Sequence, residues 1–254
     1  MSKIYTSAAD AVADIPSGSS LAVGGFGLCG IPDVLIAALA AGPATDFEVF
    51  SNNCGTDGHG LGTLLEDRRI RRVTASYVGE NREFARQYLS GELEVELTPQ
   101  GTLAEKMRAG GAGIPAFFTP SGVGTPISEG GLPWRYAADG SVALASPPKE
   151  VRVFGGRDYV LEESITADFS LVHAMVADTE GNLVFNKAAM NFNPLAAMAG
   201  RVCVAQVEVI VAAGELDPEQ IHLPGIFVDR IVHIGQQDKK IEKRTVSAAE
   251  EGTR

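Results

Sequence analysis

The chain has little positive charge. Only 21 of its 254 residues are Lys or Arg, against 32 Asp or Glu, which gives a formal net charge of −11 at pH 7 and a pI near 4.8. Nucleic acids and anionic membranes are bound through a surplus of Lys and Arg on one face of a protein. The shortage of basic residues, with no basic cluster in the body of the chain, argues against either of them as a partner.

Cysteine and long apolar runs are also scarce. The cysteines are Cys29, Cys54 and Cys203, which form no C-x-x-C pair, and an odd number suits free thiols better than a disulfide framework. Cys29 and Cys54 each adjoin a glycine, where a small space-filling residue is a better interpretation than a nucleophile. No run reaches the ~18 apolar residues of a membrane span, and the N-terminus shows no signal peptide. We therefore expect a cytoplasmic protein with no membrane partner.

The remaining composition, 45% hydrophobic and 21% charged, is that of an ordinary globular protein with one sizeable core. Apolar runs of strand length alternate with helical patterns, which is the rhythm of an α/β fold. Strands are predicted at 21–23, 47–50, 70–76 and 92–98, and helices at 7–15, 32–41, 61–67, 82–89 and 102–109. In the strand 92–98, apolar residues alternate with glutamates, which predicts one solvated face.

The pattern changes after Gly110, where a stretch rich in Gly and Pro runs to Trp134. Such a loop is too long for a simple connection and is usually functional or part of an interface. A β meander is predicted next, with turns at 138–140 and 155–156, before core strands at 169–176, 182–185, 202–211 and 231–234. We predict one domain over 1–235, an open and mostly parallel sheet flanked by helices with the added meander, and a charged tail over 236–254.

The organising feature is the stretch SSLAVGGFGLCGIP at 19–32, which reads as a strand, a Gly-rich turn and the start of a helix. Such a junction lies at the carboxyl end of a strand, where backbone N–H groups and a helix N-terminus converge on a ligand. It lacks the Lys-Ser/Thr ending of a P-loop, and its apolar residues are unusual for a pyrophosphate cradle. A tight turn without a ligand remains the alternative. The predicted substrate-binding residues of the turn are Gly24, Gly25, Phe26, Gly27 and Gly30.

Polar side chains follow the neighbouring strands. Asn52 and Asn53 open a Gly-rich loop after the second strand, although Asn is also common in plain turns. Gln100 stands at the head of a helix, where its amide could donate to a developing oxyanion or could simply lie in water. These three residues are the candidates for orienting a substrate and stabilising an oxyanion.

Glu80 is the sharpest nucleophile candidate, because a carboxylate at the end of a buried strand can attack an activated acyl group. Asn81 as the N-cap of the next helix, with Glu80 just outside it, explains the pair equally well as capping. His59 has no Ser nucleophile or Asp partner in a recognisable motif, and no histidines show metal-ligand spacing. Spacing alone yields no complete catalytic apparatus and no metal site.

Several stretches together resemble the family I coenzyme A transferases, and in particular their A-type chains. They are VGGFGLCGIP at 23–32, SNN at 51–53, YVGEN at 77–81, GELEVELTPQGTLAE at 91–105, RAGGAGIPAF at 108–117 and NFN at 191–193. They are specific, and they spread in order over nearly the whole chain. The sequence departs from the family pattern at Ser17, where Asp or Asn is usual, and in its extension beyond the last predicted strand.

The resemblance implies the open α/β fold shared with the sugar-phosphate isomerase-like group, and transfer of CoA from succinyl-CoA to a 3-oxoacid such as acetoacetate. In this family the catalytic glutamate lies in the B half and forms a glutamyl-CoA thioester, so no nucleophile is expected in this chain. The resemblance places Asn52, Asn53 and Gln100 on the acid side of a shared site, with Glu80 and Asn81 as substrate-binding counterparts of the glutamate loop. The CoA thioester is then a substrate, and no cofactor is implied.

The resemblance also implies that the partner is a B subunit, and we expect an α2β2 assembly that takes a small acid and an acyl-CoA. Segment 111–133 and the charged tail are the predicted contact regions. The residues that would form an apolar patch there are Phe117, Phe118, Ile127 and Trp134.

Two alternatives stay open. The acid could be 3-oxoadipate, although GLCGIP and YVGEN resemble the acetoacetate branch more. The chain could instead be a non-catalytic acid-binding or regulatory protein of the same fold. A neighbouring reading frame for a B-type chain would favour catalysis, whereas its absence together with a stable monomer would favour binding.

Overall fold

The computed structural model describes residues 2–79 and 81–237. The strands are β1 Ile4–Tyr5, β2 Ser20–Val23, β3 Phe47–Phe50, β4 Ile70–Ala75, β5 Glu94–Leu97, β6 Ala116–Thr119, β7 Pro133–Tyr136, β8 Val142–Ala145, β9 Val151–Phe154, β10 Arg157–Glu163, β11 Ala167–Asp178, β12 Leu183–Val184, β13 Gly200–Val211 and β14 Arg230–His233. The α-helices are α1 Ala8–Val12, α2 Asp33–Ala41, α3 Gly62–Glu66, α4 Arg82–Leu89, α5 Gln100–Gly111, α6 Pro126–Glu129 and α7 Asn193–Ala199. Short 3₁₀ helices are Lys187–Asn191, Pro218–Gln220 and Gly225–Phe227.

The main sheet has the order β1-β14-β13-β11-β2-β3-β4-β5, with every neighbouring pair in this order parallel and β12 added antiparallel to β11. After β2 the chain builds β3, β4 and β5 on one side, and later returns with β11 on the other side of β2. Strand order therefore reverses between β2 and β11. The predicted open, mostly parallel α/β sheet is confirmed, and this reversal marks the crevice where such sheets bind ligands.

Apolar cores cover both faces of the sheet. One contains α1 to α4, and its largest fully buried side chains include Leu35, Phe47 and Phe84. The other contains α5 and α7 and includes Leu103 and Met107. Strands buried on both faces read as short apolar runs, which is why β2 and β3 are identifiable from sequence.

The meander forms two small antiparallel units. Strands β6, β10 and β9 make one sheet, and β7 pairs with β8 in a hairpin. Both predicted turns occur, between β7 and β8 and at Gly155-Gly156 between β9 and β10. Exposed apolar side chains of the meander lie on the edge strand β9, where Val151, Val153 and Phe154 are 46%, 61% and 44% exposed, and on β8, where Val142 is 49% exposed. The residues predicted to form an apolar patch, Phe117, Phe118, Ile127 and Trp134, are instead half-buried.

The predicted solvated face of the strand at 92–98 is wrong. Arg72 on β4 donates to Glu94 at 2.6 Å and to Glu96 at 2.7 Å, and its guanidinium lies 4.9 Å from the centroid of the Trp134 ring. The two glutamate side chains are only 17% and 13% exposed. The alternation correctly separates an apolar face from a charged face of the strand. The charged face contacts a cross-strand arginine, itself covered by an aromatic ring, and not solvent.

Within the described residues, no helix combines the length and apolarity needed to cross a membrane. The predicted tail 236–254 lies outside the described residues except for positions 236 and 237. The single domain over 1–235 stays a prediction.

Candidate active site

The Gly-rich turn after β2 lies where the strand order reverses. The Gly24 N–H donates to Leu171 O of β11 at 2.9 Å, and the backbones of Phe26 and Cys29 pair in both directions at 2.9 and 3.0 Å. Gly25 has φ +119°, a conformation open essentially to glycine alone. Among the described residues, none accepts a hydrogen bond from the amides of Gly25 or Gly27. Within the described part of the chain, these N–H groups are available to donate to a ligand.

The loop after β3 lies directly beside this turn, as the parallel strands predict. Ser51 Oγ donates to Val23 O at 2.9 Å, which joins the ends of β3 and β2. The loop repeats the same tight turn, because Thr56 and His59 pair through their backbones at 3.3 and 3.0 Å. Two similar turns therefore stand next to each other at one edge of the sheet.

The structure brings the three predicted amides together. Gln100 Nε2 donates to Asn52 Oδ1 at 2.7 Å, and Ser76 Oγ donates to the same oxygen at 2.8 Å. Asn53 Oδ1 lies 3.5 Å from Asn52 Nδ2, and both asparagines are 4% exposed. We call Asn52, Asn53, Ser76 and Gln100 the amide row.

The hydrogen bonds of the amide row leave one N–H group of Gln100 uncommitted within the row. The Asn52 side-chain oxygen accepts two hydrogen bonds, so it is fully used inside the row. Gln100 Nε2 carries two hydrogens, one of which is committed to Asn52. Since Gln100 is exposed, its second N–H is available to a substrate oxygen. The row can therefore supply the donor that an oxyanion requires.

The Asn81 side chain is occupied by structural bonds. Its Oδ1 accepts from Phe84 N at 2.8 Å as the N-cap of α4, and its Nδ2 donates to Cys54 O at 2.9 Å. The residue is 1% exposed. The capping interpretation thus holds for Asn81, whereas its predicted contact with substrate remains a prediction. Glu80 lies outside the described residues.

Part of the expected helix N-terminus is not available to a ligand. The N–H groups of Val34 and Leu35, in the first turn of α2, donate to Gln206 Oε1 at 3.0 and 3.1 Å. Gln206 comes from β13 and is 1% exposed. The sequence reasoning missed both Gln206 and Ser76. An amide inside an apolar strand was the available signal for Gln206, and a hydroxyl at a strand end was the signal for Ser76.

The thiols should react in a fixed order. Burial raises the pKa of Cys54 far above its usual range and that of Cys203 to about 12, so neither forms a thiolate near neutral pH. Cys29, in the Gly-rich turn, is partly exposed. An Ellman titration of the folded chain should detect Cys29 alone, with Cys54 and Cys203 reacting only after unfolding. Rapid reaction of all three in the folded protein would contradict the buried positions.

No grouping of His, Cys, Asp and Glu side chains in the described part of the chain could hold a metal ion. The groups that do converge beside the Gly-rich turn are amides, a hydroxyl and backbone N–H groups.

A turn at the strand reversal whose Gly25 and Gly27 N–H groups have no acceptor among residues 2–79 and 81–237, flanked by a row of amides, is the kind of site that handles an acyl or carboxylate group. The family model described as Coenzyme A transferase matches residues 5–233. The chain belongs to the coenzyme A transferase family.

The chain is also similar to individual proteins whose names specify the acids between which CoA is moved. A Mycobacterium tuberculosis chain, named as the A-type subunit of a probable succinyl-CoA:3-ketoacid coenzyme A transferase, is 63% identical over 97% of this chain and 99% of its own length. The human mitochondrial succinyl-CoA:3-ketoacid coenzyme A transferase 2 is 51% identical over 98% of this chain but only 48% of its own length. An acyl-CoA transferase structure from Escherichia coli O157:H7 shares the fold, with TM-score 0.77, 22% identity, and coverage of 94% of this chain and 48% of that one.

Proposed function

We propose that this chain is the A-type subunit of an enzyme that moves CoA from succinyl-CoA to a 3-oxoacid, with acetoacetate as the acid. The observation that carries the proposal is the 63% identity, across nearly the full length of both chains, to the mycobacterial chain that bears this name. The Gly-rich turn and the amide row support the proposal, since acyl transfer passes through a tetrahedral oxyanion that N–H donors can stabilise.

The resemblance to the family I coenzyme A transferases implies the division of labour, and the amide row of this chain supports it. Gln100 and Asn52 orient the acid and stabilise the oxyanion, while the B subunit supplies the nucleophilic glutamate. That carboxylate attacks the acyl carbon of the thioester and releases CoA thiolate, leaving a mixed anhydride. The thiolate then attacks the glutamyl carbonyl, expels succinate and forms a glutamyl-CoA thioester. A human relative about twice as long supports a two-half arrangement.

The assay that tests the proposal uses this chain co-expressed with a B-type chain. The preferred acceptor of CoA from succinyl-CoA should be acetoacetate, with kcat/KM at least about tenfold above that of 3-oxoadipate, a difference of about 1.4 kcal/mol in transition-state binding. The reverse preference would assign the chain to 3-oxoadipate transfer. If the assembled pair bound acids but did not transfer CoA, the chain would be assigned as an acid-binding protein.

We propose further that the pair assembles as two A and two B chains through segment 111–133 and the charged tail 236–254. The free cysteines of this chain support a reducing compartment such as the cytoplasm. Light scattering of the co-expressed pair at micromolar concentration should give the mass of a heterotetramer. A mass corresponding to separate monomers would contradict a site shared between the A and B chains.

A further inference from the structure

The backbone of the Gly-rich turn is hydrogen-bonded by side chains that are distant from it in the sequence. Asn193 Nδ2 donates to Gly30 O at 2.9 Å, and His173 Nδ1 lies 3.2 Å from Ile31 O. Together with Gln206, which binds the N–H groups of Val34 and Leu35 at the start of α2, these side chains hold the backbone on both sides of Pro32 at the exit of the turn. We call Asn193, His173 and Gln206 the clamp.

Asn193 is the best-connected member of the clamp. Besides Gly30 O, its Nδ2 donates to Ala189 O at 3.0 Å, and its Oδ1 accepts from His173 N at 2.9 Å. The residue is 0% exposed, so each of these bonds forms away from water. Replacing it would leave backbone groups unsatisfied in the interior.

The turn rests on Asn193 without free space. A Cβ built on Gly24 would overlap the Asn193 side-chain oxygen, and one built on Gly30 would lie 2.5 Å from Ala189 Cβ. The Phe26 ring also stacks on Phe192, which precedes Asn193, with centroids 6.3 Å apart. The position of Asn193 therefore sets the position of the turn on both sides of Phe26.

The other clamp residues lie opposite each other on adjacent parallel strands. His173 on β11 is the register partner of Gln206 on β13. A shift of α2 or of the turn would have to break the bonds to both side chains. The clamp thus ties the turn to the sheet, whose neighbouring strand ends carry the amide row.

We propose that the clamp positions the Gly-rich turn against the amide row for CoA transfer, with Asn193 as its main positioning residue. The inference rests on the proposed function. Transfer requires the reacting groups to be held within a fraction of an ångström, and a misplacement of about 1 Å can lower a rate about a hundredfold. A loosened turn still binds substrates but aligns them poorly, so kcat is affected more than KM.

The test compares Asn193→Ala and Asn193→Asp with Gln87→Ala in the assembled enzyme. Gln87 is a matched control, because it is 2% exposed and donates to Leu65 O at 2.6 Å, on a helix outside the clamp. All three variants should melt at lower temperature. Well below those melting temperatures, both Asn193 variants should lose about ten- to a hundredfold in kcat with KM within about threefold, while Gln87→Ala keeps its kcat.

Asn193→Asp keeps the side-chain shape and the oxygen that accepts from His173 N. It replaces the N–H donor to Gly30 O and Ala189 O with a second oxygen. This variant therefore tests the clamp if the alanine variant does not fold. A kcat for Asn193→Asp equal to that of Gln87→Ala would overturn the clamp. An inactive wild-type complex would instead overturn the proposed function, so the two failures are distinguishable.

A second measurement uses the overlap at Gly24. Gly24→Ala should be more damaging alone than in combination with Asn193→Ala, because the second change removes the oxygen with which the new methyl group collides. The loss of kcat caused by Gly24→Ala should be smaller in the Asn193→Ala background than in the wild type, although the new methyl group would still lie 3.1 Å from the Asn193 Cα. Losses that simply multiply would mean that Asn193 does not set the position of the turn.

Discussion

Replacing Gln100 by alanine should lower the kcat of the assembled transferase about ten- to a thousandfold while changing the KM for the acid by no more than about threefold. Gln100 Nε2 makes one bond within the amide row, to Asn52 at 2.7 Å, and its second N–H can donate to a substrate oxygen under the proposed function. A donor that strengthens as the oxyanion forms contributes to the transition state more than to the ground state. Steady-state kinetics with saturating succinyl-CoA would measure the effect.

Gln220→Ala is the control for this substitution, since Gln220 is an exposed glutamine in the 3₁₀ helix Pro218–Gln220. It should leave both kinetic constants unchanged. If Gln100→Ala raised KM with kcat unaltered, Gln100 would bind ground state and transition state equally and would not be an oxyanion donor.

Glu162→Gln should reduce the free energy of unfolding by about 3 kcal/mol, the largest stability effect we expect from a single charge. Glu162 on β10 is 1% exposed and accepts from Lys149 at 2.6 Å and from Lys106 of α5 at 3.3 Å. Removing its charge leaves two largely buried lysines. Among the described residues, Glu96, 3.7 Å from Lys106, is the remaining acidic partner of the pair. Urea unfolding followed by circular dichroism would measure the difference.

The adjacent Glu163→Gln is the matched control, because Glu163 is exposed on the same strand. Its effect should stay within about 0.5 kcal/mol. Equal midpoints for the two variants would show that the buried ion pairs do not hold the meander to α5.

Local signals are sufficient for much of the fold. The helix at Arg82–Leu89 is predicted at its observed bounds because an N-cap asparagine and an amphipathic pattern both lie within a few residues of it. The strand Phe47–Phe50 is equally clear, since a short apolar run followed by a Gly-rich loop indicates a buried strand. The strand Ile4–Tyr5 is not predicted from the sequence, because two residues are too few to show a periodic pattern.

The candidate site is predictable only in part. Asn52 and Gln100 each follow a predicted parallel strand, so their proximity can be inferred from the fold. The clamp cannot be inferred in this way, because Gln206 binds a residue 172 positions away and Asn193 binds a residue 163 positions away. Neither contact leaves a mark in the local pattern.

The strand pairing also bears on how the chain is made. β2 lies beside β11, although 148 positions separate Ser20 from Asp168, and β1 is covered only by β14, with Ile4 opposite Ile231. Contacts between distant residues form late, and synthesis proceeds from the N-terminus. While β11 is still unmade, the ribosome-bound chain holds β2 to β5 with one edge of β2 unpaired. An unpaired strand edge can pair with another chain, so synthesis of β11 is the step that protects this edge of β2 from self-association.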